Sequence, residues 1–117
     1  MTINNNAYGG FIMSKNIMSG IPIRYSFREE SNIPQLNGWN FFSEEDDESY
    51  VSYSNNFQIL SAETVYNISL VILELFDAPY GTDLCWLYKE GVHVGFYDLV
   101  NNRETTLSEI LENPQTY

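Results

Sequence analysis

The chain has 117 residues and carries 16 acidic side chains against 5 basic ones, which gives a net charge of -11. This length fits one compact domain with its own core. The charge repels phosphate backbones and anionic membranes, so it argues against nucleic acid and membrane surfaces as partners. Long-range electrostatics instead favour a basic partner protein.

Cysteine content and hydropathy bear on the compartment. Cys85 is the only cysteine, so an internal disulfide is impossible and nothing indicates an oxidising compartment. The sequence lacks the pattern of a secretory leader, and no apolar run approaches the roughly 20 residues that a membrane span needs. A cytoplasmic protein is therefore expected.

The first third of the chain predicts two strands. Residues 1–7 are polar and lack periodicity, so we expect a disordered segment there and a single domain over residues 8–117. Phe11, Ile12 and Met13 follow a glycine pair and indicate a short buried strand. A second strand is indicated by apolar side chains that alternate with polar ones, namely Ile21, Ile23, Tyr25 and Phe27.

A third strand is predicted to end in a run of acids. Trp39 and Phe41 are expected to point inward and anchor this strand. Directly after it come Glu44, Glu45, Asp46, Asp47 and Glu48. Phe42 would stand beside these acids at a rim, a composition typical of binding hot spots, and Trp39 would support it. The alternative is that Trp39 and Phe41 serve only the core, and that the acids form a solvated loop in which water screens their repulsion.

A second polar cluster, Arg28-Glu29-Glu30, follows the second strand. We expect it near the same edge as the acidic run, where it would extend the partner-binding site. An ion pair between Arg28 and one of the acids is the structural alternative.

One main helix is predicted over residues 62–76. Ser61 is placed to cap it, and Glu63 lies in the first turn, where the helix dipole favours an anion. Apolar residues then recur at helical spacing, namely Val65, Ile68, Ile72, Leu75 and Phe76. Asn67 and Ser69 leave open the alternative of two short helices.

Residues 84–100 predict a hairpin with its turn at Glu90 and Gly91. With a two-residue loop, Tyr88 lies opposite His93, and the core face carries Cys85, Leu87, Val92, Val94 and Phe96. The other face is aromatic and amphipathic, and forms an alternative binding face of Trp86, Tyr88, His93 and Tyr97. Thr106 and Glu109 have the spacing of a capping box and predict a short terminal helix that ends near Pro114.

The order of elements is strands, then a helix, then a hairpin, without the βαβ alternation of a parallel sheet. This order predicts an α+β fold: a single domain whose mainly antiparallel sheet packs against one main helix, with a C-terminal hairpin. The sheet face that the helix leaves uncovered, or the loops at its edge, would then carry the function.

No combination of residues indicates catalysis, a cofactor or a metal site. Cys85 and His93 are the only residues of their types, and in the two-residue-loop register they point to opposite faces, which argues against a nucleophile pair. The acidic run lacks the alternating ligands and the glycine of a calcium loop, and zinc has no cysteine or histidine cluster. Phosphate-loop and hydrolase motifs are absent from the sequence. We therefore predict a protein without enzymatic activity.

Several motifs stand in the order of a known family. They are Gly9-Gly10 with Ser14, an aromatic residue shortly before Arg28-Glu29-Glu30, Gly38-Trp39 with Phe41, the acidic run, and the segment LELFDAPYGT at residues 73–82. With these motifs the chain resembles the bacterial immunity protein thirty-three family over residues 9–86.

The resemblance implies an accessory protein of bacterial polymorphic toxin systems, which binds a cognate toxin domain and neutralises it in the cytoplasm of the producing cell. A basic toxin would suit the acidic chain. The alternative function is a small acidic adaptor or ligand-binding module that uses the face of Trp86, Tyr88, His93 and Tyr97.

Overall fold

The computed structural model describes residues 8–112 and confirms an α+β fold. The predicted disordered segment, residues 1–7, lies outside the described residues. The elements in chain order are β1 (Gly10–Ser14), α1 (Lys15–Met18), β2 (Ile23–Arg28), β3 (Leu36–Ser43), α2 (Glu48–Val51), a 3-10 turn (Ser54–Asn56), β4 (Phe57–Leu60), α3 (Ala62–Ile68), α4 (Leu70–Leu75), β5 (Asp83–Lys89), β6 (Val92–Asp98), β7 (Arg103–Thr105) and α5 (Leu107–Glu112).

The strands form a single seven-stranded sheet in the order β4-β1-β3-β2-β5-β6-β7. β1 and β3 run parallel, and the other neighbouring pairs are antiparallel, so the sheet is mixed but mainly antiparallel as predicted. β4 and β7 form its two edges. Phe11 and Met13 of β1 and Trp39 and Phe41 of β3 are buried on one face, which confirms the inward placement of Trp39 and Phe41. The expected burial of β1 holds for Phe11 and Met13 but not for Ile12, which is partly exposed.

The helices α3, α4 and α5 contribute to a common core with that face of the sheet. Their most deeply buried side chains include Val65, Ile72 and Ile110, none of which is more than 1% exposed. On the sheet side the core is completed by large side chains, namely Phe11, Trp39, Phe41, Leu84, Trp86 and Phe96. Burial of this apolar surface is the main force that holds the layers together.

The prediction of one main helix is wrong, because Ser69 interrupts it. Ser69 has an extended backbone (φ -162°, ψ 122°) and separates α3 from α4. The predicted cap is confirmed, since the Ser61 hydroxyl accepts a hydrogen bond from the N–H of Thr64. Serine and asparagine side chains compete with the backbone for hydrogen bonds, and the Asn67 amide does so here by donating to the Glu63 carbonyl. The alternative of two short helices is therefore the one observed.

The hairpin of β5 and β6 turns at Glu90 and Gly91 as predicted, and Tyr88 pairs with His93. A bulge then shifts the register, so that Leu87 pairs with Gly95 and Trp86 with Phe96. Because a one-residue shift reverses every later side chain, Phe96 joins Trp86 in the core. The predicted core face is wrong in its other members: Val92 and Val94 are 63% and 59% exposed. The hairpin is also not the C-terminal element, since β7 and α5 follow it.

Candidate functional site

The sheet face opposite the helices consists of two neighbouring rows of side chains, which we call the open face. One row crosses five strands through Phe42, Tyr25, Cys85, Tyr97 and Glu104. The other crosses five strands through Ile59, Ile12, Asn40, Phe27 and Asp83. Each of these ten side chains is partly or fully exposed. The open face is therefore a surface accessible to a partner.

Aromatic rings cluster at the centre of the open face. The Phe27 and Phe42 rings stack with centroids 5.8 Å apart, and Tyr25 lies 5.7 Å from Phe27 and 5.6 Å from Phe42. Phe57 meets Phe42 edge-on at 5.4 Å and extends the cluster towards β4. Partly exposed aromatic rings that are fixed by one another present a large contact area at little further entropy cost, which is the composition of an interface anchor.

The open face carries acidic but no basic side chains. Of its ten residues, Asp83 and Glu104 are acids and none is lysine or arginine. Burial, and then the neighbouring Asp83 carboxyl, raise the pKa of Tyr25 above its usual range, so its hydroxyl stays protonated. The face therefore combines apolar rings with negative charge.

Two of the five adjacent acids serve the fold. The Asp46 carboxylate accepts hydrogen bonds from the Ser43 N–H and the Asn16 side-chain amide, both at 2.8 Å. Burial acts to raise the pKa of Asp46, but the bonds from Ser43 and Asn16 outweigh it, so the pKa lies below its usual value. Asp47 caps α2 by accepting from the Tyr50 N–H at 2.8 Å. Both carboxylates therefore hold the turn that follows β3.

The other three acids of the run point to solvent. Glu44, Glu45 and Glu48 are exposed, and Glu44 and Glu45 follow Phe42 at the end of β3. The Glu44 N–H donates to the Pro22 carbonyl at 3.1 Å, which fixes its backbone beside the start of β2. We call these three side chains the acidic rim. The acidic run thus divides into two parts: Asp46 and Asp47 hold the turn, and Glu44, Glu45 and Glu48 are exposed to solvent.

The second polar cluster lies elsewhere. Ile23 pairs with Ser43 and Arg28 pairs with Trp39, so Arg28 and the acidic rim lie at opposite ends of β2, roughly 16 Å apart at ~3.3 Å per residue. The expectation of a shared edge is therefore wrong. Glu29 and Glu30 are exposed beyond the far end of β2.

Arg28 and Trp39, both predicted to bind a partner, are tied into the fold. The Arg28 guanidinium donates to the backbone carbonyls of Asn37, Phe76 and Ala78 at 2.8 to 3.0 Å. Trp39 is 1% exposed, and its indole N–H donates to the Phe76 carbonyl at 3.1 Å. These contacts fit the structural alternative for Trp39. For Arg28 the contacts are with backbone carbonyls, and not with the acid that the structural alternative named.

The alternative binding face is divided by the bulge in the hairpin. Tyr97 lies on the open face, whereas Trp86, Tyr88 and His93 lie on the helix side, where Trp86 is 2% exposed. Tyr88 and His93 line a cavity of about 260 Å³ together with Ile17, Ile21, Ile68 and Ser69. The Nε2 atom of His93 is buried without a hydrogen-bond partner, and burial lowers the pKa of His93, so the ring is neutral at pH 7.

The positions of Cys85 and His93 exclude a nucleophile pair, because the two side chains lie on opposite faces of the sheet. A metal ion would need a group of at least three histidine, cysteine, aspartate or glutamate side chains. Residues 8–112 contain no such group. None of the helices in this part of the chain has the length and apolar character of a membrane span.

The sequence analysis did not predict that Tyr25, Phe27, Cys85 and Asp83 belong to an accessible face of the sheet. Their signal was present in the alternation of β2, which places Tyr25 and Phe27 on one face. Alternation does not say which face the helices cover, and an aromatic pair is usually assigned to a core.

A comparison with protein-family models matches residues 11–94 to the domain described as immunity protein Imm33. No curated protein and no solved structure matches the chain. The matched segment runs from β1 into β6, so it contains the aromatic cluster of the open face and the acidic rim.

Proposed function

Because the match covers more than half of the chain, the chain belongs to the Imm33 immunity protein family, and from this membership we propose that it binds and neutralises a cognate bacterial toxin. In this proposal the protein has no enzymatic activity and acts in the cytoplasm of a cell that produces the toxin as part of a polymorphic toxin system. Membership of the family supports the toxin-neutralising role. The apolar rings and carboxylates of the surface support binding of the toxin as the way in which it is neutralised.

The observation that carries the proposal is the open face with its adjoining acidic rim. Phe42 connects the two, since it stacks on Phe27 and lies two residues before Glu44. An aromatic anchor beside exposed carboxylates suits a partner whose binding surface is apolar and positively charged. The proposed partner is therefore a basic toxin domain, and neither nucleic acid nor a membrane is proposed.

The proposed function is tested by expressing the cognate toxin domain in a susceptible cell, with and without this protein. The proposal expects growth only when the protein is present, and a stable complex of the two purified chains. A toxin that kills equally well in both cells, and that forms no complex, would remove the immunity function for this pair.

The acidic rim is expected to steer association. Removing two of its three charges by Glu44→Gln and Glu45→Gln should lower the association rate constant about three- to tenfold at low salt, because rim charges act mainly on encounter. The difference should shrink as salt screens the field. Stopped-flow mixing with the toxin domain at two ionic strengths measures both effects.

The matched control is Glu74→Gln with Asp77→Asn, which removes the same charge from exposed positions in and just after α4. This pair should change the rate much less. Equal losses for the two double variants would mean that net charge steers association and that the acidic rim has no special part.

A small-ligand function has one observation in its favour, the unpaired Nε2 atom of His93 in its 260 Å³ cavity. A neutral imidazole nitrogen of this kind accepts a hydrogen bond from a ligand N–H or O–H. The toxin experiment separates the two functions, because a ligand-binding module would neither rescue growth nor form the complex.

A further inference from the structure

A second cavity lies where the open face meets the loop before β5. It has a volume of about 320 Å³ and is lined by Tyr25, Phe27, Arg28, Glu29, Gly81, Thr82 and Asp83. Its walls are fixed by backbone hydrogen bonds, from Arg28 N–H to the Thr82 carbonyl at 2.9 Å and from Gly81 N–H to the Arg28 carbonyl at 2.7 Å. The cavity is therefore a formed part of the fold.

Asp83 leaves an acceptor unused in this cavity. Its Oδ1 atom is shielded from solvent and has no hydrogen-bond partner. Its backbone is held in place, since Asp83 pairs with Phe27 across β2 and β5 and its carbonyl accepts from the Leu99 N–H at 2.9 Å. The Tyr25 hydroxyl already acts on this carboxyl group as a donor, so the capacity left for a ligand lies in the remaining lone pairs of the carboxylate.

The rest of the cavity favours a planar cation. Phe27 and Tyr25 supply ring surface, with centroids 5.7 Å apart, and Glu29 adds a second carboxylate close enough for its charge to act on Tyr25. The Arg28 guanidinium is engaged with the Asn37, Phe76 and Ala78 carbonyls. Two carboxylates therefore stand against one lining cation whose donors point to backbone carbonyls, so the cavity offers net negative charge and aromatic surface.

We propose that this cavity receives an arginine side chain of the partner protein, with the guanidinium donating to Asp83 and lying against the Phe27 ring. Arginine fits better than lysine, because its planar group stacks on aromatic rings while its N–H donors reach a carboxylate in the same plane. This inference rests on the proposed function, which supplies a basic toxin domain as the partner. It deepens that function by assigning the polar anchor at the end of the open face opposite to the acidic rim.

The test is a titration of the cognate toxin domain into the wild-type protein and into the Asp83→Asn variant by calorimetry. Asparagine keeps the shape of the side chain but removes its charge, so the variant should fold, which circular dichroism checks. We expect Kd to rise about 10- to 100-fold, because a partly buried, hydrogen-bonded charge pair is lost. The control is Glu74→Gln, which removes one exposed charge from α4 on the helix side and should leave Kd within about twofold.

The outcomes separate this inference from the function on which it rests. Tight binding of the wild-type protein together with unchanged binding of Asp83→Asn would overturn the arginine site and leave the immunity function intact. Absence of binding by the folded wild-type protein would overturn the immunity function for this pair, and the assignment of the arginine to the toxin with it.

Discussion

Replacing Gly38 with alanine is expected to lower the free energy of unfolding by roughly 3–5 kcal/mol, from backbone strain together with overpacking. Gly38 has φ +92°, a region that alanine rarely adopts. A Cβ atom there would also lie well inside the van der Waals distance of the Glu29 carbonyl oxygen. That contact is with backbone and not with a flexible side chain, so the strands themselves would have to separate.

The position matters because β2 and β3 cross the middle of the sheet. The Glu29 N–H donates to the Gly38 carbonyl at 3.1 Å, next to the pair of Arg28 with Trp39. Separation at this point would disturb the strand ends that line the cavity beside Asp83 as well as the core around Trp39. Loss of toxin binding by Gly38→Ala would therefore accompany loss of the fold.

The matched control for the steric part is Gly20→Ala. Gly20 has φ +105°, but open space surrounds the position that its Cβ atom would take. The control should lose only about 1–2 kcal/mol, the cost of the backbone conformation alone. Urea unfolding followed by circular dichroism measures both variants, and equal losses would show that the close approach to Glu29 has no energetic weight.

Replacing Arg28 with lysine is expected to cost roughly 2–4 kcal/mol of stability, since hydrogen bonds from a charged group are worth ~1.5–3 kcal/mol each and an ammonium group cannot reproduce the fork. The guanidinium joins β3 to the turn after α4 through the carbonyls of Asn37, Phe76 and Ala78. It also lies 4.5 Å from the centroid of the Tyr80 ring and 5.0 Å from that of Phe76.

The control for Arg28 is Arg24→Lys, because Arg24 is an exposed residue of the same strand. It should change the free energy of unfolding by less than about 0.5 kcal/mol. If Arg28→Lys proved equally harmless in chemical unfolding but weakened toxin binding, Arg28 would be a partner-binding residue after all and its carbonyl contacts would be incidental.

The sequence predicted those parts of the fold that follow from local patterns. The alternation around Trp39 and Phe41 and the apolar run at Phe11 correctly predicted strands. The Ser61 cap correctly predicted the start of a helix, because each of these patterns is sufficient for its local structure. The break at Ser69 was predicted only as an alternative and the bulge in the hairpin was not predicted, since each depends on how distant elements pack. The bulge had the largest consequence, because one inserted residue placed Phe96 on the same side of the sheet as Trp86 and separated Tyr97 from His93.

The candidate site was predictable in its chemistry but not in its geometry. Five adjacent acids look alike in a sequence, whereas in the structure Asp46 and Asp47 accept backbone hydrogen bonds and Glu44, Glu45 and Glu48 reach solvent. The pairing of Tyr25 with Phe42 and the unpaired oxygen of Asp83 arise only when β2, β3 and β5 are neighbours in the sheet.

The most direct test of docking on the open face uses the one cysteine of the chain. Cys85 is a free, partly exposed thiol between Tyr25 and Tyr97 in the middle of the open face, so it reports on this surface without any substitution. The measurement is the rate at which iodoacetamide alkylates Cys85, followed by intact mass, with and without a cysteine-free toxin domain at about 100 times its Kd. A toxin bound on the open face should slow the reaction at least about tenfold. A toxin that binds while Cys85 reacts at its free rate would contradict docking on the open face.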